Sequence, residues 1–162
     1  MIDAYLSIGS NIGKRKTNLR LAYKEISKLG KASGSHIYKT EPWGRNDLPE
    51  FLNACVHIKT DANLIQLFEK ICSIEDDMGR KREEKWDSRI IDIDILISNQ
   101  LIFISPELVV PHPYLSQRNF YLEPLAEIAK EETEPITGKR IKNLLADCPD
   151  TKGVWKTGNI LQ

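Results

Sequence analysis

The sequence has no apolar run approaching 18 residues, no Cys-x-x-Cys pair, no internal repeat and no low-complexity segment. The first absence excludes a membrane-spanning helix. The three cysteines, Cys55, Cys72 and Cys148, are odd in number and far apart, which matches neither a disulfide framework nor a zinc-ligand pattern and fits a reducing cytoplasm. Net charge is also missing: 23 Lys and Arg balance 23 Asp and Glu. A chain so balanced offers no long electrostatic footprint to nucleic acid or to an anionic membrane, so any anion site has to come from local clustering. Residues 1–20 carry Asp3 early and no apolar run ahead of a small-residue cleavage site, so a secreted protein is not expected.

What is present suffices for one compact domain over residues 1–162, since 41% of the chain is hydrophobic and only 28% charged. Ile2 to Ile8 reads as a strand ended by Gly9-Ser10-Asn11. Leu19, Ala22, Tyr23, Ile26 and Leu29 then recur at helical spacing, with Thr17 or Asn18 as cap and Gly30 as stop. Residues 33–40 read as a second strand, Glu41 to Pro49 as a breaker-rich loop and Phe51 to Ile58 as a third strand. Asp61 is placed to cap a second helix, whose stripe runs Leu64, Leu67, Phe68, Ile71, Ile74 and Met78 before Gly79. Ile90 through Ile97 is a fourth strand. The order β-α-β-β-α-β predicts an α+β, ferredoxin-like fold: a mostly antiparallel sheet with two helices on one face. Additional C-terminal elements follow, an edge strand at 101–104 and short helices within 115–130 and 141–145, while residues 150–162 show no periodicity.

Side chains alternate along a strand, so Asp92, Asp94 and Leu96 share the face opposite Ile91, Ile93, Ile95 and Ile97, the two acids about 6.5 Å apart. Two carboxylates side by side in so apolar a strand call for cations, and Mg²⁺ takes few carboxylates together with substrate phosphates. The alternative is an edge strand with a solvated face. Residues 80–89 hold five cationic side chains, Arg80, Lys81, Arg82, Lys85 and Arg89, around Trp86. Arg forks suit phosphate oxygens and the indole offers a flat face, against the alternative of a solvated charge run. Glu75 lies on or beside an apolar helix stripe, near a helix C-terminus that disfavours anions, so it needs a partner or reaches water. Gly9 to Lys14 is not a P-loop, because it lacks one residue between its glycines and a hydroxyl after Lys14. It is either a turn near a ligand or a plain connection. His36 and His57 read as ordinary strand residues, whereas His112 lies between two prolines in a loop-like stretch. Phe51 and Asn53 share a strand face and suit a flat heterocycle, unless they are simply a core Phe and a buried Asn. Paired acids with basic residues also suit a two-metal nuclease, and the fold order also suits an RNA-binding module. The chain lacks the basic surface of the first and the aromatic strand motif of the second.

Together these segments resemble the 6-hydroxymethyl-7,8-dihydropterin pyrophosphokinases of folate biosynthesis. The resemblance spans roughly residues 4–130, through the Gly9-Ser10-Asn11 turn, Glu41-Pro42-Trp43-Gly44, Phe51-Leu52-Asn53-Ala54, the Arg89-x-x-Asp92-x-Asp94 block, Pro111-His112-Pro113 and Arg118-x-Phe120. It implies a monomeric cytoplasmic enzyme that moves the terminal diphosphate of ATP to the pterin hydroxymethyl group and releases AMP, with two Mg²⁺ as cofactors. By the same resemblance Asp92 and Asp94 hold both metals and Arg82 and Arg89 grip the transferring phosphates. Glu75, Ile95, His112 and Arg118 then belong to the nucleotide site, and Thr40, Pro42, Trp43, Phe51, Asn53, Trp86 and Phe120 to the pterin pocket. The chain departs from the family pattern at Asp87, where a small residue is usual, at Phe51, where Tyr is frequent, and at Cys72, where Gln often reaches the nucleotide. The repelling cations of residues 80–89 are expected to become ordered only when nucleotide and pterin are both bound.

Overall fold

The computed structural model describes residues 1–44, 47–80 and 88–161. The first strand, β1 (Ile2–Ser10), leads into helix α1 (Arg15–Ser27), which buries Leu19, Ala22 and Ile26. The predicted cap does not form. Thr17 and Asn18 lie inside the helix, and Asn18 instead donates its amide to Ser10 Oγ and to the carbonyls of Ile12 and Ile90. The predicted 33–40 strand is two strands, β2 (Lys31–Gly34) and β3 (His36–Thr40), both paired to β4 (Phe51–Thr60). The register slips by one residue at Ser35, whose hydroxyl accepts the Cys55 N–H at 2.9 Å, so the break satisfies the backbone rather than wasting it.

Helix α2 (Leu64–Asp77) is capped by Asn63, two residues after the predicted cap: Asn63 and Gln66 each accept the other's backbone N–H, a reciprocal box that Asp61 does not join. It stops where expected, with Gly79 at φ 84°. Then come β5 (Asp92–Ser98), a separate hairpin of β6 (Phe103–Ile104) and β7 (Val109–Val110), and α3 (Asn119–Ala129), α4 (Ile141–Ala146) and β8 (Val154–Ile160). Strand β8 corrects the reading of 150–162 as unpatterned. It is an edge strand beside β3, mostly open to solvent, so it carries no apolar alternation to read.

The main sheet runs β5-β1-β4-β3-β8 with every neighbour antiparallel, and β2 continues the β4 edge. Counting β2 and β3 as one broken strand gives the ferredoxin-like order. Even-numbered residues of β1 and β4, with Ile93 and Ile95, face α1 and α2 in one core. Tyr5, Cys55, Leu96 and Ile97 face α3 and α4 in another. Ile97 thus leaves the face predicted for it: the β1–β5 register pairs Leu6 with Ile95 and Tyr5 with Ile97, skipping Leu96. The acids lie before this irregularity and keep their alternation.

Glu127 ties α3 to the sheet. Its carboxylate accepts the His36 N–H at 3.0 Å, the Tyr38 hydroxyl at 2.7 Å and a 2.7 Å contact from His36 Nδ1, with Lys156 Nζ of β8 at 3.3 Å. Burial opposes its charge, but these donors outweigh burial and hold the carboxyl down at about 2. Replacing Glu127 with Ala strips three donors of their acceptor and is expected to cost about 1–3 kcal/mol of unfolding free energy. A depressed carboxylate pKa gives stability that is complete above the usual 4.5 and lost as pH falls towards about 2. Denaturant unfolding should therefore show the gap between wild type and Glu127→Gln narrowing from pH 5 to pH 2.5.

Candidate active site

Helix α3 covers only half of its sheet face. Beyond Tyr5 and Cys55 the same rows continue as Ser7 and Gly9 on β1, Asn53 and Phe51 on β4, and Asp94 and Asp92 on β5. Left without a helix, these positions floor a cleft walled by Trp43, Leu48, Phe120 and Tyr121. Apolar walls over a few convergent polar groups are the usual make-up of a small-molecule site.

At one end of the floor stand the acids. Asp92 pairs with Arg80 Nη1 at 2.9 Å and with Arg89 Nη1, and Arg80 also pairs with Glu75. Glu75 is 2% exposed and accepts the Ile93 N–H at 2.7 Å, so this α2 acid fixes both the cation and the entry to β5. Burial pushes the Glu75 carboxyl up, with Arg80 opposing. Asp94 is in a different situation. Burial first, then the charge of Asp92, raises its carboxyl to about 7, although the Tyr121 hydroxyl donates to its Oδ2 at 2.6 Å. Burial and the nearby Arg118 charge hold His112 down at about 4, so its ring is neutral.

Arg89 is aimed by the Gly9-Ser10-Asn11 turn. Asn11 Oδ1 accepts the Arg89 N–H at 2.6 Å, and the Asn11 N–H returns a bond to the Arg89 carbonyl at 3.1 Å. The turn is a clasp on Arg89. At the other end of the floor Asn53 is 4% exposed and donates to Thr40 Oγ1 at 2.6 Å, and Phe51 and Trp43 line the cleft with it. Arg118 is boxed by aromatic faces, its guanidinium 4.4 Å from the Trp43 ring and 4.5 Å from Tyr114.

The cleft therefore brings together nine residues singled out in the sequence: Thr40, Trp43, Phe51, Asn53, Arg89, Asp92, Asp94, Arg118 and Phe120. Glu75 lies beneath the cleft floor, Pro42 is buried next to Thr40, and His112 borders the site through a 3.4 Å contact with Tyr121. The Ile95 side chain does not reach the cleft, because it packs in the α1–α2 core on the opposite face. Arg82 and Trp86, and most of the 80–89 segment expected to order on binding, lie outside the described residues. Sequence reasoning passed over Tyr121 and gave Arg80 no role apart from its neighbours. For Tyr121 the available signal was its spacing, one helical turn after Arg118. For Arg80 it was its place directly after the helix-stopping Gly79.

Gly9 is required by close approach. A Cβ there would overlap Asn53 Oδ1, the atom whose amide is fixed by Thr40. Gly9→Ala is expected to turn Asn53 out of position and weaken binding of a flat heterocycle by tenfold or more, while leaving nucleotide binding near wild type. Separate titrations with the two ligands check this.

Residues 5–130 match the model of the family described as 7,8-dihydro-6-hydroxymethylpterin-pyrophosphokinase (HPPK). The chain is 41% identical over 137 residues to the 2-amino-4-hydroxy-6-hydroxymethyldihydropteridine pyrophosphokinase of Bacillus subtilis, covering 83% of this chain and 82% of that protein. It is 39% identical over 149 residues to the Methylorubrum extorquens protein of the same name, covering 90% and 93%. A Plasmodium falciparum HPPK-DHPS structure superposes with a TM-score of 0.72 at 17% identity, over 90% of this chain and 43% of that one. The chain thus spans less than half of that solved protein, and this likeness concerns the fold. With the family model matched over most of its length and relatives near 40% identity, this chain belongs to the 7,8-dihydro-6-hydroxymethylpterin pyrophosphokinase family.

Proposed function

We propose that the protein transfers the diphosphate group of ATP to the hydroxymethyl oxygen of 6-hydroxymethyl-7,8-dihydropterin. In this reaction the hydroxymethyl oxygen bonds to the β-phosphorus, the bond from that phosphorus to the α–β bridging oxygen breaks, and AMP leaves. One observation carries the reading: an acid pair with its arginines and a ring pocket with an amide share one continuous strand floor. A nuclease would need a basic groove, whereas this cleft is walled by aromatic rings.

The donor set fits Mg²⁺. Among the described residues no group of three or more His, Cys, Asp or Glu converges, so the protein offers Asp92 and Asp94, and phosphate oxygens and water complete the coordination. Asp92 and Asp94 would hold two Mg²⁺, whose chemistry there would be to neutralise phosphate charge and lower the pKa of the hydroxyl. The chain's own residues do the rest. Arg80 and Arg89 hold Asp92 until phosphate oxygens compete for their forks. Asn53 and Thr40 read the heterocycle's edge while Phe51 and Phe120 sandwich its faces. Arg118 and His112, with Arg82 from the adjoining segment, serve the nucleotide, and Trp86 serves both ligands. The same reading makes residues 1–162 one domain that works as a cytoplasmic monomer. The cytoplasm is supported by free cysteines and by the lack of any described helix long and apolar enough to cross a membrane.

Incubation with ATP, Mg²⁺ and the reduced pterin alcohol is expected to give AMP as the first nucleotide product, and ADP would sink the assignment. Asp92→Asn and Asp94→Asn should each lower turnover by several orders of magnitude, because each removes charge where the transition state needs it. A folded variant keeping more than about a tenth of wild-type turnover at saturating Mg²⁺ would break the metal assignment.

A further inference from the structure

We infer that Tyr121 is a positioning residue for Asp94, fixing the carboxylate in the orientation in which it receives a divalent cation. The inference rests on the reading of Asp94 as a metal carboxylate. Tyr121 is 2% exposed, with its ring packed edge-on against His112 at 4.9 Å and beside Phe120 at 4.4 Å. A phenylalanine would fill that volume equally well, so packing does not account for the hydroxyl. Burying a hydroxyl is costly unless it is hydrogen-bonded, and all three partners of this one border the cleft.

A phenol has one hydrogen to give and two lone pairs to receive with. Arg118 Nη1 lies 3.0 Å from the Tyr121 oxygen and can only donate. His112 Nε2 lies 3.4 Å away. Its other nitrogen, Nδ1, accepts the Tyr114 N–H at 3.2 Å, which leaves the proton of the neutral ring on Nε2, pointing at the phenol. Both of these neighbours donate, so among the described residues the phenol hydrogen has one acceptor, Asp94 Oδ2 at 2.6 Å. The direction of the bond is thereby fixed by the two groups behind it. Holding Oδ2 fixes the rotation of the carboxylate, and so the bearing of its other oxygen. Partners that orient a metal carboxylate typically change metal affinity or activity by about 10–100-fold when removed.

The test is Tyr121→Phe, which keeps the ring and deletes the hydroxyl. Affinity for Mn²⁺ in the presence of a non-hydrolysable ATP analogue, followed by its paramagnetic resonance signal, is expected to weaken about tenfold or more. Turnover should fall in parallel, while KM for the pterin, set by Asn53 and Phe51, stays within about twofold. In an Asp94→Asn background the same change should add nothing to the loss of metal affinity, since the two residues act as one unit. A merely structural tyrosine would lower the melting temperature and move pterin KM and metal affinity together, or move neither. Loss of metal binding in Asp94→Asn with wild-type binding and turnover in Tyr121→Phe would overturn the proposal alone. Unchanged metal affinity in both variants would overturn the metal reading of Asp94 and this proposal with it.

Discussion

Two carboxylates on one face of a strand, in a cleft closed by aromatic rings, cannot both stay charged without help. Unit charges about 6.5 Å apart repel by about 2.5 kcal/mol at an effective dielectric near 20, and each also loses hydration. The two acids are relieved differently. Asp92 is held between two guanidinium groups, yet its charge still raises the Asp94 carboxyl. Among the described residues Asp94 has a phenol and no arginine as hydrogen-bond donor, and burial is the leading reason its carboxyl rises to about 7. The pair is therefore arranged so that a dication entering with phosphate would relieve the remaining cost. Glu75, Arg80, Arg89 and Tyr121 are where they are because of this one constraint.

Positioning these groups falls to short polar side chains near the start of the chain. Asn11 holds the Arg89 backbone, Asn18 holds the turn that carries Asn11 and also the Ile90 carbonyl, and Gly9 leaves room for Asn53. The first β–α connection thus braces the acid end of the cleft and the ring end together. A single displaced asparagine would disturb both ends of the cleft.

What the sequence made legible follows from what periodicity encodes. The strands at β1, β4 and β5 and both large helices announced themselves because each buries a full face, and Asp-x-Asp announced itself because it interrupts one. Ser35 and Leu96 were illegible: a one-residue slip in register depends on the neighbouring strand, which a local pattern does not contain. The α2 cap was misread because Asp61 and Asn63 are both good caps, and Gln66 three residues beyond Asn63 decided between them. Within the site, Asp92, Asn53 and Phe51 could be placed from strand alternation alone. Tyr121 could not, since it arrives from a helix packed across the sheet, and its spacing is that of an ordinary core aromatic. Ile95 was attached to the nucleotide by family resemblance, whereas alternation already put its side chain on the other face.

The last stretch of chain, which carries no motif, closes the cleft from outside. Helix α3 has no side-chain cap of its own. Asp150 supplies the missing acceptor, taking the Asn119 N–H at 2.9 Å, with the Asn119 amide returning to the Asp150 carbonyl. A carboxylate at that point also suits the positive end of the helix, which carries Arg118, Phe120 and Tyr121. Three residues later the Gly153 carbonyl accepts the Glu41 N–H at 3.0 Å and the Gly153 N–H donates to the Glu41 carboxylate at 2.7 Å, bracing the loop that holds Trp43. Strand β8 then pairs with β3, which ends at Thr40, a residue of the cleft. The Trp43 loop and the start of α3 are in this way anchored to a segment whose own composition says nothing about ligands. Such a segment is read only through its hydrogen-bond partners, and here Asn119 and Glu41 lead back to the cleft walls.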